Sequence, residues 1–161
     1  NANSTWDCAV YHQGGTIKNL VIEGAFRGIF TAGCSSDIII DNVIIDNVCY
    51  TFSSDTGNAN YSVIVTNSTL NGWTSYTGGY KSVTFEGCKF GKGTGAYQYA
   101  FLRPYNDSTF TNCVFETGFG FDATCATSTL VNCYVGDVLI TDANKVELLG
   151  QSAQNLVIKN A

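Results

Sequence analysis

Chemistry on this chain would fall to few groups, because 161 residues hold 13 Asp and Glu, 8 Lys and Arg and a single histidine. Glycoside hydrolysis needs two carboxylates facing one bond, and proton abstraction needs a base of matched pKa beside its substrate. The acids here are scattered along the sequence, and Arg103 with Asp122 is the pair that could converge on one face, Asp137 and Asp142 lying further along. His12 stands beside Gln13-Gly14-Gly15, a setting that suits a surface turn better than a general base. Asp37, Asp41 and Asp46 flank an apolar run and offer carboxylates that could hold calcium, although Asp at a chain reversal more often caps backbone amides. No CxxC pair and no His partner accompanies the cysteines, so no metal ligand and no cofactor is assigned.

Binding chemistry is better represented. Three segments, 50–61, 72–80 and 91–106, concentrate Trp73, Tyr76, Tyr80, Tyr97, Tyr99 and Tyr105, with Lys92 and Arg103 as the nearby cations. Aromatic rings in a groove give flat platforms for sugar rings and amphipathic contacts for protein partners. The competing reading is core packing: Tyr97, Tyr99 and Phe101 alternate with Gln98, Ala100 and Leu102, and one set must face inward.

The element that would position these residues is a repeated phrase. Ser82-Val83-Thr84-Phe85-Glu86-Gly87-Cys88-Lys89-Phe90 returns as Ser108-Thr109-Phe110-Thr111-Asn112-Cys113-Val114-Phe115 and as Ser128-Thr129-Leu130-Val131-Asn132-Cys133-Tyr134-Val135. Aligned on the residue before the cysteine, a column reads Asp7, Gly24, Asn42, Asn67, Gly87, Asn112, Asn132, Asn160, all residue types that tolerate positive φ. Apolar positions alternate up to this column, slip by one residue, and alternate again, so two strands meet at a one-residue corner. The register is weakest at Leu20, Ile22, Ala25 and Arg27. From Asp7 to Asn160 the successive steps are 17, 18, 25, 20, 25, 20 and 28 residues, periods that indicate a solenoid.

An Asn-rich corner between two strands of each coil resembles the right-handed parallel β-helix superfamily that includes the pectin and pectate lyases, phage fibre and tail proteins and bacterial surface proteins. The resemblance implies an all-β, right-handed parallel β-helix of about seven to eight coils, with residues 1–161 as a single domain. It implies no single activity, since lyases, hydrolases and non-catalytic proteins share the architecture. The family's lyases use clustered acidic calcium ligands with an Arg or Lys base, and its hydrolases use closely placed Asp residues; neither grouping is evident here.

Composition fits many short strands: one proline, 17 glycines and 13% charged residues. A net charge of −5 without a Lys/Arg cluster argues against nucleic acid, and no apolar run is long enough for membrane insertion. The chain lacks methionine and leaves few residues for end caps, which leads us to expect a piece of a longer chain or assembly, with a neighbouring domain or subunit stacked on the rod ends. Cys88, Cys113 and Cys133 share one inward column, where the strand spacing of about 4.8 Å exceeds the Cβ separation a disulfide prefers, so they read as buried thiols. Four sequons, at Asn3, Asn60, Asn67 and Asn106, are of the kind that arise by chance in such a composition.

Taken together, these features lead us to expect a non-catalytic adhesion or recognition module, extracellular or on a cell or virion surface, that binds a glycan or a host or bacterial surface protein. The alternatives are a structural spacer or assembly module, and a polysaccharide lyase or glycoside hydrolase using Arg103 and Asp122.

Overall fold

Asparagine at the corner decides the architecture. In the computed structural model, which describes residues 7–94, 100–116, 119–121, 126–136, 138–142, 145–148, 151–153 and 156–159, Asn42, Asn67, Asn112 and Asn132 all adopt φ between 50° and 53° and Gly87 adopts 63°. One left-handed residue turns the chain while returning the next apolar side chain to the interior, and Asn tolerates that conformation because its short polar side chain can hydrogen-bond locally. The corner side chains also pair between coils: Asn42 Nδ2 donates to Asn19 Oδ1 at 2.8 Å.

The described residues form twenty strands and no helix, numbered here along the chain. A front sheet runs β1 (Cys8–Tyr11), β3 (Arg27–Ala32), β5 (Tyr50–Thr56), β8 (Trp73–Tyr76), β11 (Ala100–Pro104) and β14 (Phe119–Phe121), every neighbouring pair parallel. The second sheet bends around the corner. Before the corner it stacks β2 (Gly15–Glu23), β4 (Ile38–Asp46), β6 (Val63–Thr66), β9 (Val83–Glu86), β12 (Ser108–Thr111), β15 (Ser128–Val131) and β20 (Leu156–Lys159). Beyond it, the later halves of β2 and β4 continue into β7 (Thr69–Asn71), β10 (Lys89–Gly91), β13 (Val114–Phe115) and β16 (Tyr134–Val135). Each circuit visits the front sheet, the strand before the corner and the strand after it. The fold is a parallel β-solenoid.

The solenoid makes about five turns rather than seven to eight. Two of the expected corners belong elsewhere. Lys18 pairs with Asp41 and Leu20 with Val43, so the first corner is Asn19, with φ 56°, and not Gly24. Gly24 instead joins Asn47 and Gly72 in a second column of positive φ, where the chain leaves the second sheet for the front one. Asp7 precedes β1, and its carbonyl accepts a hydrogen bond from the Arg27 amide at 3.1 Å, so it stands at the entrance to the front sheet. Asn160 lies outside the described residues, although β20 just before it pairs in register with β15. The chain also departs from the coil after Val135. There β17 (Val138–Asp142), β18 (Lys145–Leu148) and β19 (Gln151–Ala153) form an antiparallel sheet set against β14, the last front strand. The sequence did not lead us to expect this antiparallel sheet beside the edge of the front sheet.

Ladders of identical side chains fill the interior. Phe85 stacks on Phe110 with centroids 4.8 Å apart, and Phe90 on Phe115 at 4.7 Å, each pair within 5° of parallel. Between the ladders, Phe90 meets Phe110 edge-on at 5.7 Å. Stack spacing equals strand spacing, so in-register pairing and aromatic stacking reinforce one another. The thiols of Cys88, Cys113 and Cys133 are buried and unbridged, each directed at a carbonyl of the preceding coil, as in the 3.4 Å contact from Cys133 Sγ to Phe110 O. Cys113, whose thiol is shared with those of Cys133 and Cys88 in a buried row, has its pKa pushed up and stays protonated.

Candidate functional site: a groove on the front sheet

The aromatic-rich segments 50–61, 72–80 and 91–106 each contribute a strand to one sheet. Their residues make up β5, β8 and β11, neighbours in the front sheet, so stacking does bring them to one side of the rod. What hid them is irregular register. On β5, Tyr50 pairs with Trp73 and Ser53 with Ser75, so Thr51 and Phe52 together oppose Thr74 alone. Against β3, Thr31 pairs with Ser54 and Ala32 with Thr56, leaving Asp55 as the additional residue. Such bulges bend a strand and re-aim its side chains, and they break the period of two by which a strand is recognised.

Over this bent face lies a groove of about 390 Å³. Ser53, Ser75 and Arg103 form one row across β5, β8 and β11. Ser54 and Thr77 add hydroxyls, Tyr50 and Tyr105 add rings, and Arg27 and Asp55 stand together on the side nearer the start of the chain. The Arg27 Nη1 donates to Ser53 Oγ at 3.0 Å and lies 4.0 Å from Asp55 Oδ1, while its guanidinium sits over the rings of Phe30 at 4.8 Å and Tyr50 at 5.1 Å. The Arg103 Nη2 donates to the Tyr105 hydroxyl at 3.1 Å. Arg27 thus stacks on the Tyr50 ring while the charge of Arg103 also acts on the Tyr50 phenol. Burial, reinforced by the neighbouring Cys49 thiol, raises the pKa of that phenol against the opposing pull of Arg103 and Arg27. At neutral pH Tyr50 is thus a hydrogen-bond donor and no ready base.

The candidates read from the sequence separate into five groups. Arg103 and Tyr105 line the groove. Trp73 stands beside it, half-buried, its ring edge-on to Tyr50 at 5.2 Å and 80°, so it supports the groove through Tyr50. Tyr76 also lies against the groove, but it and Tyr80 turn their rings inward, where the sequence led us to expect them outward. Tyr76 is fully buried with its hydroxyl 2.6 Å from Ser108 Oγ, and Tyr80 is buried with its hydroxyl bonded to Ser54 Oγ and to the Thr56 carbonyl at 3.2 Å. Alternation along β8 turns Tyr76 inward between Phe52 and Phe85. Lys92 is exposed and is not among the groove-lining residues. Tyr97, Tyr99 and Asp122 lie outside the described residues.

Arg27, Ser53, Ser75 and Asp55 were missed. A signal for Arg27 existed: Ile17, Asn19, Leu20 and Ile22 match the corner phrase better than the frame built on Gly24, and with Asn19 at the corner Arg27 falls at the start of a front strand. Asp55 is the one carboxylate lining the groove, so the paired acids of glycoside hydrolysis are not assembled there among the described residues. The remaining acids considered for calcium bind the protein itself. Asp37 Oδ1 accepts from Ser62 N at 2.8 Å, Asp41 Oδ1 from Thr66 Oγ1 at 2.7 Å and Asn67 Nδ2 at 3.0 Å, and Asp46 Oδ1 from Asn47 N at 2.7 Å. Among the described residues no three His, Cys, Asp or Glu side chains gather as a metal site. His12 Nε2 lies 3.1 Å from its neighbour's carbonyl at Gly15, within a turn.

No protein-family model matches the chain, and neither a curated protein nor a solved structure shows significant similarity to it.

Proposed function

We propose that this β-solenoid is a recognition module that binds a glycan chain along the groove of its front sheet, without cleaving it. The observation that carries this reading is the groove's lining. Ser75 and Thr77 add hydroxyls beside the rings of Tyr50 and Tyr105, over buried Ser53 and Ser54, with one carboxylate present. Sugars are bound by this combination of hydrogen-bonding groups and flat apolar rings. Because backbone ladders hold the strands, these residues are positioned before ligand arrives, which lowers the ordering entropy of binding. In this reading the chain is a distant variant of the pectin-lyase-like architecture, used extracellularly or on a cell or virion surface for adhesion, with further domains or subunits stacked on the rod.

A glycan array run beside a depolymerisation assay tests the proposal. Wild type should bind a subset of oligosaccharides and release no fragments, and Tyr105→Ala should lose that binding while keeping the wild-type unfolding midpoint. Fragment release would move the chain to the enzymes; absence of any glycan binding would reject recognition of sugars.

A spacer or assembly role is the second reading, favoured by one feature outside the groove. Val21, Ile44, Val114 and Tyr134 are exposed along the strands after the corner, Val21 pairing with Ile44 and Val114 with Tyr134, which places apolar side chains on a face away from the front sheet.

A further inference from the structure

The two arginines of the groove belong to strands far apart in sequence, and the fold brings both to the lining of one groove beside Tyr50. Arg27 opens β3 and Arg103 lies on β11, with β5 and β8 between them. Each is held from below by aromatic rings, Arg27 over Phe30 and Tyr50 and Arg103 over Tyr105. Such stacking fixes the plane of a guanidinium, and a planar fork of N–H donors matches the oxygens of an oxyanion in a way that a neutral sugar hydroxyl does not. Only eight cations serve a chain of net charge −5, and two of them line this groove with Asp55 as the single opposing acid. A positive site inside an acidic molecule is selective, because the rest of the surface repels the same ligand.

Building on the glycan-recognition reading, we infer that the groove takes a glycan bearing an anionic substituent, a carboxylate or a sulfate ester, and seats that group between Arg27 and Arg103 over Tyr50. Tyr50, protonated at neutral pH, donates to the same oxyanion from beneath. Ser75, in the same row as Arg103, receives a hydroxyl of the sugar that carries the charge, while buried Ser53 holds the Arg27 guanidinium. Asp55, 4.0 Å from Arg27, sets the orientation, since an anionic group displaced toward it meets a like charge.

The test uses oligosaccharides of matched length in neutral, carboxylated, carboxyl-reduced and sulfated forms, titrated against wild type, Arg103→Gln and Asp55→Asn. An anionic form should bind wild type at least about tenfold more tightly than its neutral counterpart, and that ratio should collapse toward one in Arg103→Gln. Raising the salt should erode the same ratio. Asp55→Asn should strengthen anionic binding, an outcome that does not depend on a variant keeping a buried contact. The carboxylated and sulfated arms separate the two sources of charge. Equal binding of neutral and anionic forms by wild type would overturn this inference while leaving glycan recognition standing. Binding of none of the four would remove both.

Discussion

Asn112 has φ 53°, as do its stacked equivalents within a few degrees, and this backbone state is what the corner demands. A β-branched residue there is strained, so Asn112→Val should lower stability by about 1 to 3 kcal/mol, measured as a shifted denaturation midpoint with an unchanged slope. The corner was legible because its requirement is local: few residue types accept positive φ, and they recur. The exceptions show the limit of that signal. Asp7 and Gly24 are of the right types and stand in other columns, since residue type alone does not tell one turn of a coil from another. Tyr80 gives a second prediction at this scale. Burial, partly countered by the hydrogen bond with Ser54, pushes its pKa up to about 12 from 10.0. A phenol whose folded pKa is raised stabilises the fold fully below its unfolded value and loses that contribution as pH climbs through the folded one. Stability should therefore fall between pH 10 and about 12, and Tyr80→Phe should flatten that part of the profile in an alkaline denaturation series.

Strands succeed or fail as sequence signals according to their regularity. Val83, Phe85, Cys88 and Phe90 display both inward alternation and its slip at Gly87, and the structure places these side chains in the core. The front sheet was obscured because β5 carries two bulges, and Ser53, Ser54, Thr51 and Thr74, buried polar residues, occupy positions where an apolar residue would announce a strand. Thr51 and Thr74 answer that burial by hydrogen-bonding one another at 2.9 Å. The regular sheet bears the larger share of packing. Phe110 touches Phe85, Phe90 and Phe115 at centroid distances of 4.8, 5.7 and 5.7 Å, and Phe110→Ala should cost about 3 to 5 kcal/mol by chemical denaturation. A loss under about 1 kcal/mol would mean that the two ladders can close around the gap.

For the whole molecule, sequence periodicity was enough for a parallel solenoid and overstated its length, since Asp7 and Gly24 were counted as corners and the antiparallel strands β17 to β19 occupy the long last step. The groove shows why a site is harder to read than a fold. Arg27 and Arg103 are separated by nearly half of the chain, and nothing local in either segment reports the other; only the stacking of β3, β5, β8 and β11 relates them. The central claim is that this juxtaposition binds a glycan without turning it over. Isothermal titration calorimetry with an oligosaccharide retained by the wild type on an array, followed by chromatography of the recovered sugar, tests it in one sample. One site per chain, a sugar recovered intact and heat abolished in Arg103→Gln with Tyr105→Ala are the predicted result; a shortened sugar, or unchanged binding by that double variant, would contradict it.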